Sequence, residues 1–145
     1  YVLIDANFLV KKDSNLLTNK DIDQKGITIA VAERSAYDLW LKENFVNSKI
    51  VRASSIPESH KLFNEGTADV LAGLKPKLLD ELSLEKKYFM IKKPFTYVKQ
   101  SVGIKKGKME VINFLNSFIS LYISNGFLKK SLKLHEVEKK LSIPL

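Results

Sequence analysis

The chain has 145 residues, 45% of them hydrophobic, which suffices for the core of one globular domain and excludes a disordered chain. It has no cysteine, which excludes disulfide bridges and thiolate metal sites, and its two histidines lack the spacing of metal ligands. The net charge is +8, but only two of the 24 basic residues are arginines and the lysines are dispersed without interleaved aromatic residues, which predicts a solvated surface and no nucleic-acid footprint.

The N-terminal part of the chain predicts strands joined by a polar connection. Tyr1–Lys12 is apolar and rich in strand-forming residues, and the polar residues at Asp5–Asn7 predict a break that divides it into two strands. A polar connection then ends at Gly26. Ile27–Val31 has no polar residue except Thr28, which is typical of a strand buried on both faces of a parallel sheet.

A helix is predicted to begin at Ser35. The sequence Ser35-Ala36-Tyr37-Asp38 resembles a capping box in which aspartate replaces the usual glutamate or glutamine. The apolar residues that follow recur at the spacing of one helix face: Tyr37, Trp40, Leu41 and Phe45.

The middle of the chain repeats the alternation of strand and helix. The next strand lies around Ile50–Val51, and Ser55 followed by proline predicts a second capped helix that stops at Gly66. Ala68–Ala72 then predicts a core strand, and Pro76 opens a helix that reaches about Leu82.

The C-terminal part predicts two further strands and two helices. Tyr88–Ile91 is a short strand and Tyr97–Lys106 is extended. An amphipathic helix covers Glu110–Ser124, with Gly126 as its stop, and a weaker helix covers Phe127–Leu141. No run in the chain reaches the length of about 18 apolar residues that predicts a membrane span.

This alternation predicts an α/β fold in which helices flank a mostly parallel sheet. In such sheets ligands bind outside the carboxyl ends of the strands, next to helix N-termini. Two places meet that description, Ala32–Tyr37 and Ala72–Pro76. No Ser/His/Asp order, P-loop or GxGxxG motif occurs, so we expect no catalytic residue, no metal and no cofactor.

An ordered series of segments resembles the type II periplasmic binding proteins, and within them the family 3 extracellular solute-binding proteins of ABC importers. ANFLVKKDSNL resembles the strand that crosses from the first lobe, and DIDQKGITIAVAERSAY resembles the opening of the second lobe. NEGTADVLAGLKP is similar to the "G-x-x-D-A" strand and its loop. QSVGIKKGKMEVINFLNSFISLYISNGFLKKSL is similar to the closing segment, so the series covers nearly the whole chain.

The resemblance implies a domain organisation. Residues 1–10 would form a crossover or hinge strand, residues 11–97 the α/β second lobe, and residues 98–145 a C-terminal strand and helices that return toward a first lobe. The chain would then be a fragment that lacks the N-terminal lobe. A homodimer of the fragment could supply the missing packing partner for the C-terminal helices.

The resemblance also implies a set of ligand-binding residues. The loop after the first strand of the second lobe, with the following helix N-terminus, would contact a carboxylate or another polar group through Glu33, Arg34, Ser35, Ala36 and Tyr37. The second place, at the mouth of the cleft, would contribute Gly73, Leu74 and Lys75.

Three positions depart from the family pattern. Arg34 replaces the usual glycine and either contacts the ligand or faces solvent, and Ala36 replaces a hydroxyl residue. Leu74 stands where amino-acid binders carry the aspartate that receives the ligand's α-ammonium, which argues against a standard α-amino acid ligand.

The function implied by the resemblance is that of a periplasmic or extracytoplasmic solute-binding component of an ABC transport system. It would bind a small polar or anionic solute in an interlobe cleft and deliver it to a membrane permease. Two alternatives use the same fold, a ligand-sensing domain of a membrane signalling receptor and the effector domain of a LysR-type transcription regulator.

Overall fold

The structure, a computed structural model of the chain, describes residues 1–84 and 86–144. It contains the predicted series of strands and helices and one short helix, α1, that was not predicted. The elements are β1 (Val2–Lys11), α1 (Asn19–Ile22), β2 (Thr28–Ala32), α2 (Ala36–Asn44), β3 (Lys49–Ala53), α3 (Ile56–Asn64), β4 (Val70–Leu74), α4 (Lys75–Leu84), β5 (Tyr88–Met90), β6 (Thr96–Gln100), α5 (Met109–Ser124) and α6 (Phe127–Leu134).

The predicted α/β fold is confirmed, and the sheet is mixed, not purely parallel. The strand order is β3-β2-β4-β1-β5, and β6 also pairs with β1. Strand β2 is parallel to β3 and β4, whereas β1 is antiparallel to both β4 and β5. The βαβ spacing correctly predicts that β2 to β5 share one direction, but it carries no information about β1, which inserts between β4 and β5 in the opposite direction.

The predicted break in the first strand is also wrong, because β1 is continuous from Val2 to Lys11. Its polar residues have partners on neighbouring segments. The amide of Asn7, which is buried, donates to the carbonyl of Ile91 at 2.9 Å. The carboxylate of Asp5 lies 3.5 Å from Lys75 Nζ. The Asn7 amide N–H and the Asp5 carboxylate thus have partners inside the fold, although Asn7 Oδ1 has none among the described residues, so the strand does not need to end where these side chains occur.

Two predicted boundaries differ from the structure. Strand β4 was expected at Ala68–Ala72 but covers Val70–Leu74, because its ladder with β1 extends from Val70 to Leu74. The last helix was expected to reach Leu141 but ends at Leu134. Glu136 follows with a φ of 55°, a left-handed conformation that an α-helix cannot continue through.

The chain divides into two compact units, Asp5–Val98 and Tyr1–Ile4 with Lys99–Leu145. Within Asp5–Val98 the sheet has an apolar cluster on each face, since successive side chains of a strand point to opposite faces. Ile29 and Val31 of β2 belong to one cluster, with Phe8 and Leu41, and Ala30 belongs to the other. Residues 85 and 145, which fall within the predicted segments 11–97 and 98–145, lie outside the described residues.

The second unit contains the helices α5 and α6. Aromatic rings follow one another along the pair, from Phe114 to Phe118, Tyr122 and Phe127. None of the residues described in these two helices is buried. In the part of the chain that the structure describes, no single helix is long and apolar enough to cross a membrane, and only α5 and α6 together, bent by 70°, meet that test of length and composition.

The burial pattern of α2 yields a test of the core. Leu41 is fully buried, whereas Leu39, two residues earlier in the same helix, is 54% exposed. Replacing Leu41 by alanine leaves a cavity, so we expect the free energy of unfolding to fall by about 2–5 kcal/mol. We expect Leu39→Ala to change it by less than about 0.5 kcal/mol. Urea unfolding followed by the fluorescence of Trp40, the only tryptophan, measures both, and equal effects of the two changes would contradict the fold.

Candidate functional site

A cavity of about 440 Å³ lies at the carboxyl ends of the parallel strands β2 and β3, within the unit Asp5–Val98. Parallel strands end at the same edge of a sheet, so the loops that follow β2 and β3 meet there, together with the N-termini of α2 and α3. The lining residues are Ala32, Glu33, Arg34, Ser35, Ala36, Tyr37, Ser54, Ser55, Ile56, Leu74 and Val98.

The N-terminus of α2 is capped by Ser35, as predicted. The N–H of Asp38 donates to Ser35 Oγ at 3.1 Å, and the hydroxyl donates to the carbonyl of Ala32 at 2.8 Å. The carboxylate of Asp38 does not close a capping box on Ser35; it accepts the N–H of Arg34 at 2.9 Å. Among the described residues, the first-turn N–H groups of Ala36 and Tyr37 have no acceptor, so they remain available to a ligand.

Arg34 has a φ of 60°, in the left-handed region. A side chain in this conformation places Cβ close to the following carbonyl, which is costly for every residue except glycine. The conformation gives a physical reason for the glycine that the family pattern places here. The Arg34 side chain is exposed at the rim of the cavity.

The N-terminus of α3 repeats this arrangement at the end of β3. Ser55 Oγ accepts the N–H of Glu58 at 3.3 Å, and the Glu58 carboxylate accepts the N–H of Ser54 at 2.7 Å and the Ser54 hydroxyl. The hydrogen bonds from the side chain and backbone of Ser54 lower the pKa of Glu58. Pro57 has no N–H, so of the first two residues of α3 only Ile56 offers a donor.

Tyr37 connects the cavity to the core. Its residue is 5% exposed, and it packs in the apolar cluster of β2. Burial raises the pKa of the Tyr37 hydroxyl, a hydrogen bond with Ser35 opposes the rise, and the Asp38 charge adds to it. The hydroxyl therefore stays protonated at neutral pH and can serve only as a neutral hydrogen-bonding group.

The structure brings together six of the eight residues predicted to bind the ligand. Glu33, Arg34, Ser35, Ala36, Tyr37 and Leu74 all line the cavity. Gly73 is buried in β4, where a Cβ would lie 3.0 Å from a methyl group of Leu78, and it does not line the cavity. Lys75 also lies outside the lining, with its ammonium 3.5 Å from the Asp5 carboxylate.

Ser54, Ser55 and Ile56 also line the cavity, although they were not predicted to bind the ligand. A signal for them was present, since Ser55 was recognised as a helix cap that follows a strand. Ser55 lies at the cavity because β3 is a direct parallel neighbour of β2, and the order of elements along the chain does not establish that pairing. Val98 is in β6 and carried no signal of its own.

Comparison with solved structures finds the same fold in binding proteins that are longer than this chain. A binding component of an ABC transporter from Wolinella succinogenes, complexed with lysine, matches with a TM-score of 0.76 and 21% identity, over 90% of this chain and 58% of that one. The cysteine-binding protein of Campylobacter jejuni matches with a TM-score of 0.71 and 21% identity, over 92% of this chain and 53% of that one. An ancestral amino acid-binding protein, a precursor of cyclohexadienyl dehydratase, matches with a TM-score of 0.70 and 20% identity, over 90% of this chain and 56% of that one.

The chain has the fold of one lobe of a type II periplasmic binding protein. The resemblance seen in the sequence is thereby confirmed for the fold. The lobe spans little more than half the length of each of these three structures. No protein-family model matches the chain, and no curated protein sequence matches it significantly.

The lobe offers no metal centre among the residues that the structure describes. In residues 1–84 and 86–144 no group of three or more histidine, cysteine, aspartate or glutamate side chains could hold an ion. In the lining of the cavity the charged side chains are Glu33 and Arg34. The site can therefore bind a solute through backbone N–H groups, hydroxyls and one charge of each sign.

The conformation of Arg34 yields a second test. Arg34→Gly removes the Cβ that strains the left-handed backbone, so we expect the free energy of unfolding to rise by about 1 kcal/mol. Arg34→Ala removes the same charge but keeps the Cβ, so it should leave stability nearly unchanged. Urea unfolding measures the difference between the two variants, and equal stabilities would show that this residue is not left-handed.

Proposed function

We propose that the chain is one lobe of the solute-binding component of an ABC transport system and that its solute is an amino acid. The observation that carries the proposal is the pair of free N–H groups, of Ala36 and Tyr37, at the N-terminus of α2 beside the cavity. The fold shared with proteins that bind lysine, cysteine and other amino acids supports it.

The N-terminus of α2 suits the carboxylate of the solute. Free N–H groups and the positive end of the helix dipole both favour an anion. The N-terminus of α3 is less suitable, because Pro57 leaves Ile56 as the single donor in its first two residues. Arg34, exposed at the rim, adds a positive charge on the side of the α2 loop.

Glu33 is the counterpart for the ammonium group of the solute. Leu74 lines the cavity where the family pattern places an aspartate, and its side chain offers no charge. Among the described lining residues Glu33 carries the negative charge, and its N–H is held by the carbonyl of Ala53 at 2.9 Å. A solute bound between the α2 terminus and Glu33 would have both its charged groups matched, which supports an amino acid over a simple anion.

We propose binding and not catalysis for this site. The hydroxyl of Ser35 already caps a helix, and the hydroxyl of Ser54 donates to Glu58. Among the described residues that line the cavity there is no histidine and no pair of carboxylates. The precursor of a dehydratase among the matches is itself an amino acid-binding protein.

The rest of the binding protein would supply the other half of the cleft. The three matching structures each extend well beyond the length of this chain, and we propose a first lobe that closes on the cavity by a hinge motion. The strands that join the two lobes would be β1 and β6. A membrane permease would receive the solute, and the protein would act outside the cytoplasm.

A titration followed by residue-resolved NMR tests the proposed ligand class. Glycine, lysine, arginine and cysteine are added to the chain, each compared with its carboxamide. We expect the free amino acid that fits best to shift the amides of Ala36 and Tyr37 with a millimolar Kd, about −4 kcal/mol, because one lobe makes only part of the contacts. The carboxamides should bind more weakly. No shift with any of the amino acids would overturn the proposal.

A pair of proline variants shows which helix binds the carboxylate. Ala36→Pro deletes one donor at the first position of α2, where proline fits, because Ser35 is already extended. We expect it to weaken binding about fivefold, the equivalent of 1 kcal/mol. Ile56→Pro makes the same change at the first position of α3, where it also alters the lining of the cavity, and should raise Kd by less than about twofold because the carboxylate is not bound there. Equal effects would assign the carboxylate to both helices.

The exposed apolar face of α5 offers a test of the proposed first lobe. Phe114, Phe118 and Leu121 are 65%, 45% and 57% exposed, an apolar surface that isolated proteins rarely leave open. We propose that the other lobe covers it, and we expect the chain alone to self-associate through it.

Sedimentation at increasing concentration measures this association. Phe118→Asp should hold the chain as a monomer, whereas Leu39→Asp, on the exposed side of α2, should associate as the unaltered chain does. A chain that stays monomeric at every concentration would contradict the assignment of this face.

A further inference from the structure

One carboxylate, that of Asp38, joins three segments at the edge of the sheet where the cavity lies. Its side chain is 5% exposed. Its Oδ2 accepts the N–H of Arg34, in the loop between β2 and α2, at 2.9 Å. Its Oδ1 accepts the Nε–H of Arg52, in β3, at 2.8 Å. The parallel register pairs Arg52 with Val31, which brings the guanidinium beside the end of β2.

The negative charge of Asp38 conflicts with an anion site at the same helix end. Asp38 is the third residue of α2, and its carboxylate already occupies the favourable position beside the positive end of the dipole. A solute carboxylate at the N–H groups of Ala36 and Tyr37 would lie within one helical turn of it. Two like charges this close repel each other, and burial reduces the screening of that repulsion by water.

We propose that Arg52 is a positioning residue that determines specificity for an anionic solute, because its guanidinium neutralises Asp38. This inference rests on the proposed function and assigns to the site a residue outside the lining of the cavity. The Asp38 side chain is 5% exposed and that of Arg52 39%, so the ion pair compensates a carboxylate that is largely removed from water. Its effect is on the electrostatic potential at the N-terminus of α2.

A purely structural role for the ion pair would give a different pattern of binding. If Arg52 only held the loop at Arg34 in place, its loss would weaken charged and neutral solutes alike. If Arg52 neutralises Asp38, its loss weakens the carboxylate form and leaves the carboxamide form unchanged. The ratio of the two dissociation constants therefore separates the two roles.

The experiment measures that ratio in five proteins and one control variant by the NMR titration with glycine, lysine, arginine and cysteine and their carboxamides. These are the unaltered chain, Arg52→Gln, Arg52→Lys, Asp38→Asn and the double variant Arg52→Gln/Asp38→Asn. Lys61→Gln is the matched control, because it removes one positive charge from an exposed ion pair with Glu65 on α3.

We expect Arg52→Gln to raise the Kd of the amino acid about fivefold to tenfold and to leave that of its carboxamide unchanged. Arg52→Lys keeps the positive charge, so the ratio of the two Kd values should stay close to that of the unaltered chain. Adding Asp38→Asn to Arg52→Gln should return the ratio to within about twofold of the unaltered chain, because the charge that needed neutralising is gone. Lys61→Gln should not change the ratio.

The outcomes distinguish this inference from the proposed function. If the unaltered chain binds none of the four amino acids, the proposed function and the role of Arg52 are both overturned. A different result overturns only the role of Arg52: the chain binds one of the amino acids, but Arg52→Gln leaves the ratio of the Kd values unchanged or weakens binding of amino acid and carboxamide equally. The proposed function is then retained. A double variant that stays as weak as Arg52→Gln would also overturn the role of Arg52.

Discussion

The parallel pairing of β2 with two neighbours is the constraint on which the site depends. Thr28–Ala32 pairs with β3 along its whole length and with β4 at Ile29 and Ala30. Its side chains are buried on both faces of the sheet, so helices must cover each face. The connections of β2 and β3 then leave the sheet at the same edge and place the first turns of α2 and α3 around one cavity.

Features that depend on neighbouring residues in the sequence could be predicted, and features that depend on the order of strands could not. The caps at Ser35 and Ser55 rest on three or four consecutive residues, and the structure has both. The buried strand at Ile27–Val31 was visible as an uninterrupted apolar run. The insertion of β1 between β4 and β5 is a long-range pairing, and nothing in the local pattern of Val2–Lys11 specifies its direction.

The same distinction explains the prediction of the site. Glu33 to Tyr37 follow a recognisable strand and lie in the cavity, whereas Gly73 and Lys75 were placed beside it on the assumption that β4 ends at Ala72. The strand continues to Leu74, which turns Gly73 into the core and Lys75 toward Asp5. The contact of Arg52 with Asp38 depends on the register of β3 against β2, so no sequence motif marks it.

The first turn of α2 differs electrostatically from the first turns of α1 and α3. In each, a carboxylate in the first turn accepts an N–H that precedes the helix: Asp21 from Thr18, Asp38 from Arg34 and Glu58 from Ser54. This contact stabilises the first turn of the helix, but it also places a negative charge there, and that charge repels a second anion. Among the described residues Asp38 alone of the three also forms an ion pair with an arginine. Within the part of the chain that the structure describes, α2 thus combines a capping carboxylate paired with an arginine and two N–H groups without an acceptor, and the proposed anion site depends on both features.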